Sequence, residues 1–243
     1  MITELVLVRH GESEGNVAAA AANLAAAEVI QVGVRDPDIP LSPVGREQAD
    51  ALGRALALLF TDQVSTRVWS SPYVRALQTA ARGLSAAGAP LPITVDERLR
   101  DRELGVLDLL TRQGVVARFP LEAQRRQWWG KFYHRPPGGE SWADVVLRLR
   151  SFLRDLGDVP DTDRAVLVVH DAVVMLFRYL CEGLDEHQIL EIGAMDPVRN
   201  VSMTVLRWQP RGSWQLIRYN DVSHLVELGA PVTTHPGEPD VPR

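Results

Sequence analysis

Leu5-Val6-Leu7-Val8-Arg9-His10-Gly11-Glu12-Ser13-Glu14-Gly15-Asn16 opens with four contiguous apolar residues and then breaks into an arginine, a histidine and a glycine. A strand with one wet face alternates apolar and polar residues, whereas a contiguous run marks a strand covered on both faces, as in parallel α/β sheets. The pattern therefore predicts a buried strand over residues 3–8 and an α/β protein. Ligands of open α/β sheets bind outside the carboxyl ends of the strands, which is where this strand delivers Arg9 and His10. An imidazole beside a guanidinium suits a phosphate, the one as a candidate nucleophile and the other as a planar anion clamp.

Working outward, the same kind of strand recurs. Ala165-Val166-Leu167-Val168-Val169 is apolar throughout and also ends in a histidine, His170. Arg67-Val68-Trp69-Ser70 and Ile93-Thr94-Val95 read as two further short strands. Residues 202–208 and 214–219 resemble an antiparallel pair turning around Pro210-Arg211-Gly212. Ser13 caps an alanine-rich helix over 14–28, and Ser42 with Pro43 starts another that runs through Leu52, Leu56 and Leu59. Ser71-Pro72 begins a third helix that carries Arg75, Gln78 and Thr79 on its first turns. The whole is expected to be a three-layer α/β/α sandwich with a mostly parallel central sheet, forming one domain over residues 1–228.

Between Gly105 and Glu140 the pattern changes. Trp128, Trp129, Phe132 and Tyr133 cluster among arginines, and Pro136-Pro137-Gly138-Gly139 closes the segment. This reads as a small cap inserted at about 105–140 that sets the substrate, with Arg126 and Arg135 available to a second anionic group. The proline-rich tail, 229–243, is expected to be loosely held.

The 243 residues suffice for a sizeable core, and 46% hydrophobic with 23% charged residues is ordinary for a soluble globular chain. A net charge of −5 gives no global basic field for nucleic acid. Lys131 is the sole lysine among 26 basic residues, so fixed cations in a site will be arginines. Cys181 stands alone, which excludes an intrachain disulfide or a CxxC site and predicts a packed thiol. No apolar run approaches the roughly 20 residues that span a bilayer, and the N-terminal run is too short for a signal peptide. The expectation is a cytoplasmic protein with no membrane partner, with the sheet-edge hairpin offering a surface for a homodimer.

Arg9-His10-Gly11-Glu12-Ser13 with Asn16 resembles the signature of the histidine phosphatase superfamily, the fold shared with phosphoglycerate mutases. The resemblance continues through Leu41-Ser42-Pro43-Val44-Gly45-Arg46-Glu47-Gln48-Ala49, Ser70-Ser71-Pro72-Tyr73-Val74-Arg75-Ala76-Leu77-Gln78-Thr79-Ala80 and Pro137-Gly138-Gly139-Glu140-Ser141. A lone RHG is a weak signal, but these blocks in this order span residues 3 to about 205. The resemblance implies a phosphomonoester substrate and a phosphohistidine formed on His10. It places Arg9, Arg75, His170 and Asn16 around the phosphoryl group, with no metal or other cofactor. Such transfer needs an in-line nucleophile and positive charge around the equatorial oxygens.

The proton donor stays open among three carboxylates. Counting four residues back from Gly105 gives Asp101, where the mutase-like branch usually has a glutamate. Asp171 follows His170 where glycine is common, and a His-Asp pair there is similar to the acid phosphatase branch. Glu103 lies two residues beyond Asp101. The order of preference is Asp101, Asp171, Glu103, since hydrogen-bond reach of the leaving oxygen decides before pKa does. Two alternatives to a phosphatase accompany this reading: a phosphoglycerate-type mutase, and a non-catalytic module that binds phosphorylated ligands.

Overall fold

The computed structural model describes residues 2–62, 64–210 and 212–235. Six strands form one mixed sheet: β1 (Glu4–Arg9), β2 (Thr66–Ser70), β3 (Ile93–Val95), β4 (Arg164–Val169), β5 (Met203–Gln209) and β6 (Ser213–Asp221). Their order is β3-β2-β4-β1-β5-β6, with the first four parallel and the β5–β6 hairpin added antiparallel at one edge. Helices α1 (Glu14–Leu24), α2 (Pro43–Leu59), α3 (Val74–Ala86), α4 (Arg112–Arg118), α5 (Pro120–Tyr133), α6 (Trp142–Gly157), α7 (Asp171–Glu182), α8 (Glu186–Met195) and α9 (Ser223–Leu228) surround it. The architecture is the expected α/β sandwich with a mostly parallel sheet.

The contiguous apolar strands are explained by the two faces they cover. Leu5 and Leu7 of β1, with Ala165, Leu167 and Val169 of β4, join the layer that holds Leu149 and Phe152 of α6 and Leu176 and Phe177 of α7. Val6 and Val8, with Val166 and Val168, point the other way, toward Leu52 and Leu56 of α2 and Ala80 and Leu84 of α3. Each such side chain contributes about 1.5–3 kcal/mol by leaving water. β1 pairs with β4 on one side and β5 on the other, with Arg9 opposite Val169, so its carboxyl end is fixed. At the other end of β1, Glu4 bonds Arg164 and Arg207. Burial alone would raise the Glu4 pKa, but these two arginines outweigh it and hold the carboxyl below its usual range.

Several boundaries differ from expectation. α1 stops at Leu24, four residues early, and Ala26 beyond it has a positive φ of 49°. α3 starts at Val74 because Tyr73, not Ser71, takes the extended N-cap position. Residues 105–140 contain the turn Gly105–Leu107, α4 and α5, with a kink at Gly130, whose φ is 73°. Of its aromatic cluster only Phe132 is buried; Trp128 is 78% exposed and Trp129 60%.

The first residues of the tail are held by hydrogen bonds: Gln48 donates to the Pro231 carbonyl and to Thr233 Oγ1, and Asn200 N donates to the Thr233 carbonyl. Proline-rich composition signals a lack of regular structure, and these bonds need none. Residues 236–243 lie outside the described residues. Cys181 is buried and unpaired, and burial pushes its thiol up to about 12. Among the described residues no helix is long and apolar enough to cross a membrane.

Candidate active site

Because β1, β2 and β4 run parallel, their carboxyl ends share one edge of the sheet, and the ladder continues past them. His10 N donates to the Val169 carbonyl at 2.9 Å, and Ser71 N to the Val168 carbonyl at 3.0 Å. His170, which follows β4, therefore sits between His10 and Ser71. Its ring centroid lies 5.1 Å from that of His10, and its Nε2 is 2.8 Å from Ser71 Oγ.

The motif glycines make this edge possible. A Cβ on Gly11 would lie 2.6 Å from the Gly45 carbonyl oxygen, and one on Gly45 would lie 1.9 Å from the Glu12 carbonyl oxygen. The start of α2 thus packs backbone to backbone against the segment after His10. Gly11 N donates to Thr79 Oγ1 and Glu12 N to Gln48 Oε1, so α3 and α2 hold the same turn. Asn200 Nδ2 donates to the His10 carbonyl at 3.0 Å.

His10 is 3% exposed, and its Nδ1 lies 2.7 Å from the Gly11 carbonyl oxygen. A carbonyl can only accept, so Nδ1 carries the proton and Nε2 keeps the lone pair. Burial, followed by the positive charge of Arg75, His170 and Arg9, holds the His10 pKa well below 6.5. The imidazole is therefore neutral. Arg9 is equally buried and donates to the carbonyls of Val198 and His235. His235 also reaches Glu12 Oε2 through Nε2 at 2.9 Å, while Ser42 donates to Glu12 Oε1.

Asp101 lies at the centre of the remaining groups. Its Oδ2 is 3.3 Å from Arg75 Nη2 and 3.2 Å from His170 Nδ1, the latter at ion-pair distance but out of line for a hydrogen bond. Arg102 N donates to Oδ1 at 2.8 Å. Burial would raise its pKa, but His170, Arg75 and the Arg102 amide together hold the carboxyl far below its usual range. Its loop is fixed from outside by Glu140 of the Pro137–Ser141 motif. Glu140 accepts from Arg100, Arg148 and Glu103 N, and Arg148 in turn donates to the carbonyls of Arg98 and Asp101. That network gives the motif its physical meaning.

The sequence-predicted residues divide accordingly. Arg9, His10, Arg75, Asp101 and His170 come together. Asn16 completes the capping box of α1 with the N-cap Ser13, its Oδ1 accepting from Ser13 N at 3.1 Å and lying 3.5 Å from Asn200 Nδ2. Glu103 is half-buried and accepts from Tyr73 OH at 2.9 Å. Asp171 opens α7, and its charge partly offsets the burial that lowers the Arg9 pKa, though its carboxylate makes no hydrogen bond among the described residues. Sequence reasoning missed Ser71, Tyr73, Asn200, His235 and Asp36. Tyr73 stacks edge-on against His170 at 5.1 Å and lies under Arg75 at 4.8 Å. Ser71 and Tyr73 belonged to a recognised block; Asn200, His235 and Asp36 sit in loops with no periodic signal.

The sequence model of the histidine phosphatase superfamily (branch 1) matches residues 5–222. Phosphoglycerate mutase-like protein 4 of Arabidopsis thaliana is 29% identical over 93% of this chain and 88% of its own. A 2,3-bisphosphoglycerate-dependent phosphoglycerate mutase of Methylobacterium sp. (strain 4-46) is 32% identical over 76% and 83%. Among solved structures, a mycobacterial glucosyl-3-phosphoglycerate phosphatase superposes with a TM-score of 0.70 at 27% identity, covering 90% of this chain and 99% of that one. The family match runs over residues 5–222, most of the length of the sequence, and the chain belongs to the histidine phosphatase superfamily.

Proposed function

We propose that the protein is a phosphatase that hydrolyses phosphomonoesters through a phosphohistidine on His10. One observation carries the reading: His10 is buried, neutral and pinned through Nδ1, which leaves Nε2 as a fixed nucleophile among Arg9, Arg75 and His170. Nε2 attacks phosphorus in line with the ester oxygen, the P–O bond breaks, and the alcohol leaves with a proton. Arginines and His170 donate to the phosphoryl oxygens, where charge must be offset.

Of the three carboxylates, Asp101 has the supporting geometry for the proton donor, because it alone touches both Arg75 and His170. Its low pKa belongs to the arrangement in which those two groups bond it directly. A phosphoryl dianion drawing on the same donors removes that stabilisation and adds a like charge, which raises the carboxyl's affinity for a proton. In the second step water attacks the phosphohistidine, Asp101 takes the water's proton, and inorganic phosphate leaves with His10 restored.

The relatives' names include phosphoglycerate mutases as well as phosphatases. The alignment with the glucosyl-3-phosphoglycerate phosphatase spans nearly all of both chains and favours hydrolysis. The test is phosphate release from p-nitrophenyl phosphate, with an acid-labile phosphoenzyme trapped in the wild type and absent from His10→Ala. Interconversion of 3- and 2-phosphoglycerate in a coupled assay, with little phosphate release, assigns a mutase instead. Phosphate binding without turnover assigns the non-catalytic module.

A further inference from the structure

Arg75 is held by a residue that the proposed chemistry does not use. Its Nη1 donates to the Asp36 carbonyl at 2.7 Å and lies 3.1 Å from Asp36 Oδ1, while Nη2 donates to Asp36 Oδ2 at 3.2 Å. Asp101 takes the same Nη2 at 3.3 Å. A guanidinium has five N–H donors. With both Nη atoms directed at Asp36 and Asp101, only Nε and one Nη1 hydrogen remain for a phosphoryl group. Because the Asp36 carboxylate spans both Nη atoms, a dianion bound bidentately through the Nη pair competes with it for the same face of the guanidinium.

Asp36 can yield them. It opens the short turn Asp36–Asp38 between α1 and α2, and its side chain is 29% exposed. Val34 and Arg35 before it are exposed, whereas Ile39 after it is buried at 2% and anchors the exit. Motion of the carboxylate thus needs φ/ψ changes in only a few residues. The contact also serves the resting protein: burial would depress the Arg75 pKa, but Asp36 and Asp101 reverse this and keep the buried cation charged.

Resting on the phosphatase reading, we propose that Asp36 is a competitor built into the phosphate site, a positioning residue that holds Arg75 until the substrate phosphoryl group displaces it and reclaims Arg75 as phosphate leaves. Binding then carries the cost of freeing Arg75, and release is assisted by the returning carboxylate. If the freed arrangement is populated about one part in ten, the apparent affinity for phosphate is lowered about tenfold.

The experiment is calorimetric binding of inorganic phosphate to the wild type, Asp36→Ala, Asp36→Asn and Asp38→Ala, together with KM and kcat for p-nitrophenyl phosphate. The expected result is phosphate binding about tenfold tighter in Asp36→Ala, an intermediate gain in Asp36→Asn, and a KM that falls without a rise in kcat. Asp38, whose partner is the exposed Arg35, leaves binding unchanged when removed. Thermal melts of all four proteins establish that each is folded. Unchanged or weaker phosphate binding in a folded Asp36→Ala overturns the competitor role while wild-type turnover keeps the phosphatase reading intact. No phosphate binding by any of the four, with no turnover, overturns both.

Discussion

The strand-end floor of the site and the 105–140 segment are built on opposite terms. At the floor, His10, Arg9 and His170 are at most 3% exposed, and each continues a strand whose backbone is fixed in a ladder. In the 105–140 segment, Leu121, Trp128 and Trp129 are between 60% and 78% exposed, and α5 is kinked at Gly130. The floor is held by many bonds that must all agree, so substitutions there are expected to abolish a reaction. The 105–140 segment leaves large apolar side chains exposed, so substitutions there are expected to alter which ester is preferred rather than to abolish the reaction.

The sharpest way to break this contrast is at His10. His10→Ala is expected to lower kcat by on the order of 10⁴ or more in a phosphomonoesterase assay, with no phosphoenzyme in an acid-quenched gel. Residual activity near the wild-type level would move the nucleophile elsewhere. Arg75→Gln is expected to cost about 10²–10³ in kcat/KM, the loss of one well-placed charge-stabilising donor.

Gly45→Ala probes the floor through its packing. The added Cβ would lie 1.9 Å from a backbone oxygen that has no flexible end to move. Urea unfolding should show about 3 kcal/mol of lost stability, near the upper end for overpacking.

Acid should expose the buried imidazole more gently. Folded His10 stays neutral because burial and its cationic neighbours hold its pKa well below 6.5, while the unfolded chain takes up a proton as the pH drops below 6.5. The unfolded state then binds more protons, so stability falls with pH in that window. Asp101, whose folded pKa is depressed below 3.8, extends the loss to lower pH. Denaturation midpoints for His10→Asn should therefore fall less steeply just below pH 6.5 than those of the wild type. The smallest effect is expected at Trp128→Ala, within about 0.5 kcal/mol in stability, with a change in KM that differs between phosphoesters. A uniform collapse of kcat there would erase the distinction between the floor and the 105–140 segment.

The same division governs what could be read from residues alone. The strand ends that deliver His10 and His170 were legible because a strand buried on both faces must be apolar at every position, and the break in that run marks the sheet edge. Asp101 was reachable by counting from Gly105. Its advantage over Asp171 and Glu103 was not, because it depends on which loop residue meets Arg75 and His170 in space. Asp36 lies 39 positions from the arginine it holds, in a turn with no periodic pattern. Asn200, which supports the His10 carbonyl, sits 190 positions from that residue. The bonds made by Pro231 and Thr233 are not legible because composition reports the absence of regular structure, not the absence of hydrogen bonds.

That tail ties Arg9 to the His235 carbonyl across 226 positions. β1 likewise finds its two neighbours only in β4 and β5, far along the chain. During synthesis, Arg9 and His10 leave the ribosome long before any partner strand exists. The central strand has to wait, unpaired and apolar, through most of translation, and contacts of such separation fold slowly. Chains cut short before residue 235 would lack a hydrogen-bond acceptor of Arg9 even where the sheet has closed. Completion of the catalytic edge is in this sense a report that translation has reached the far end of the domain.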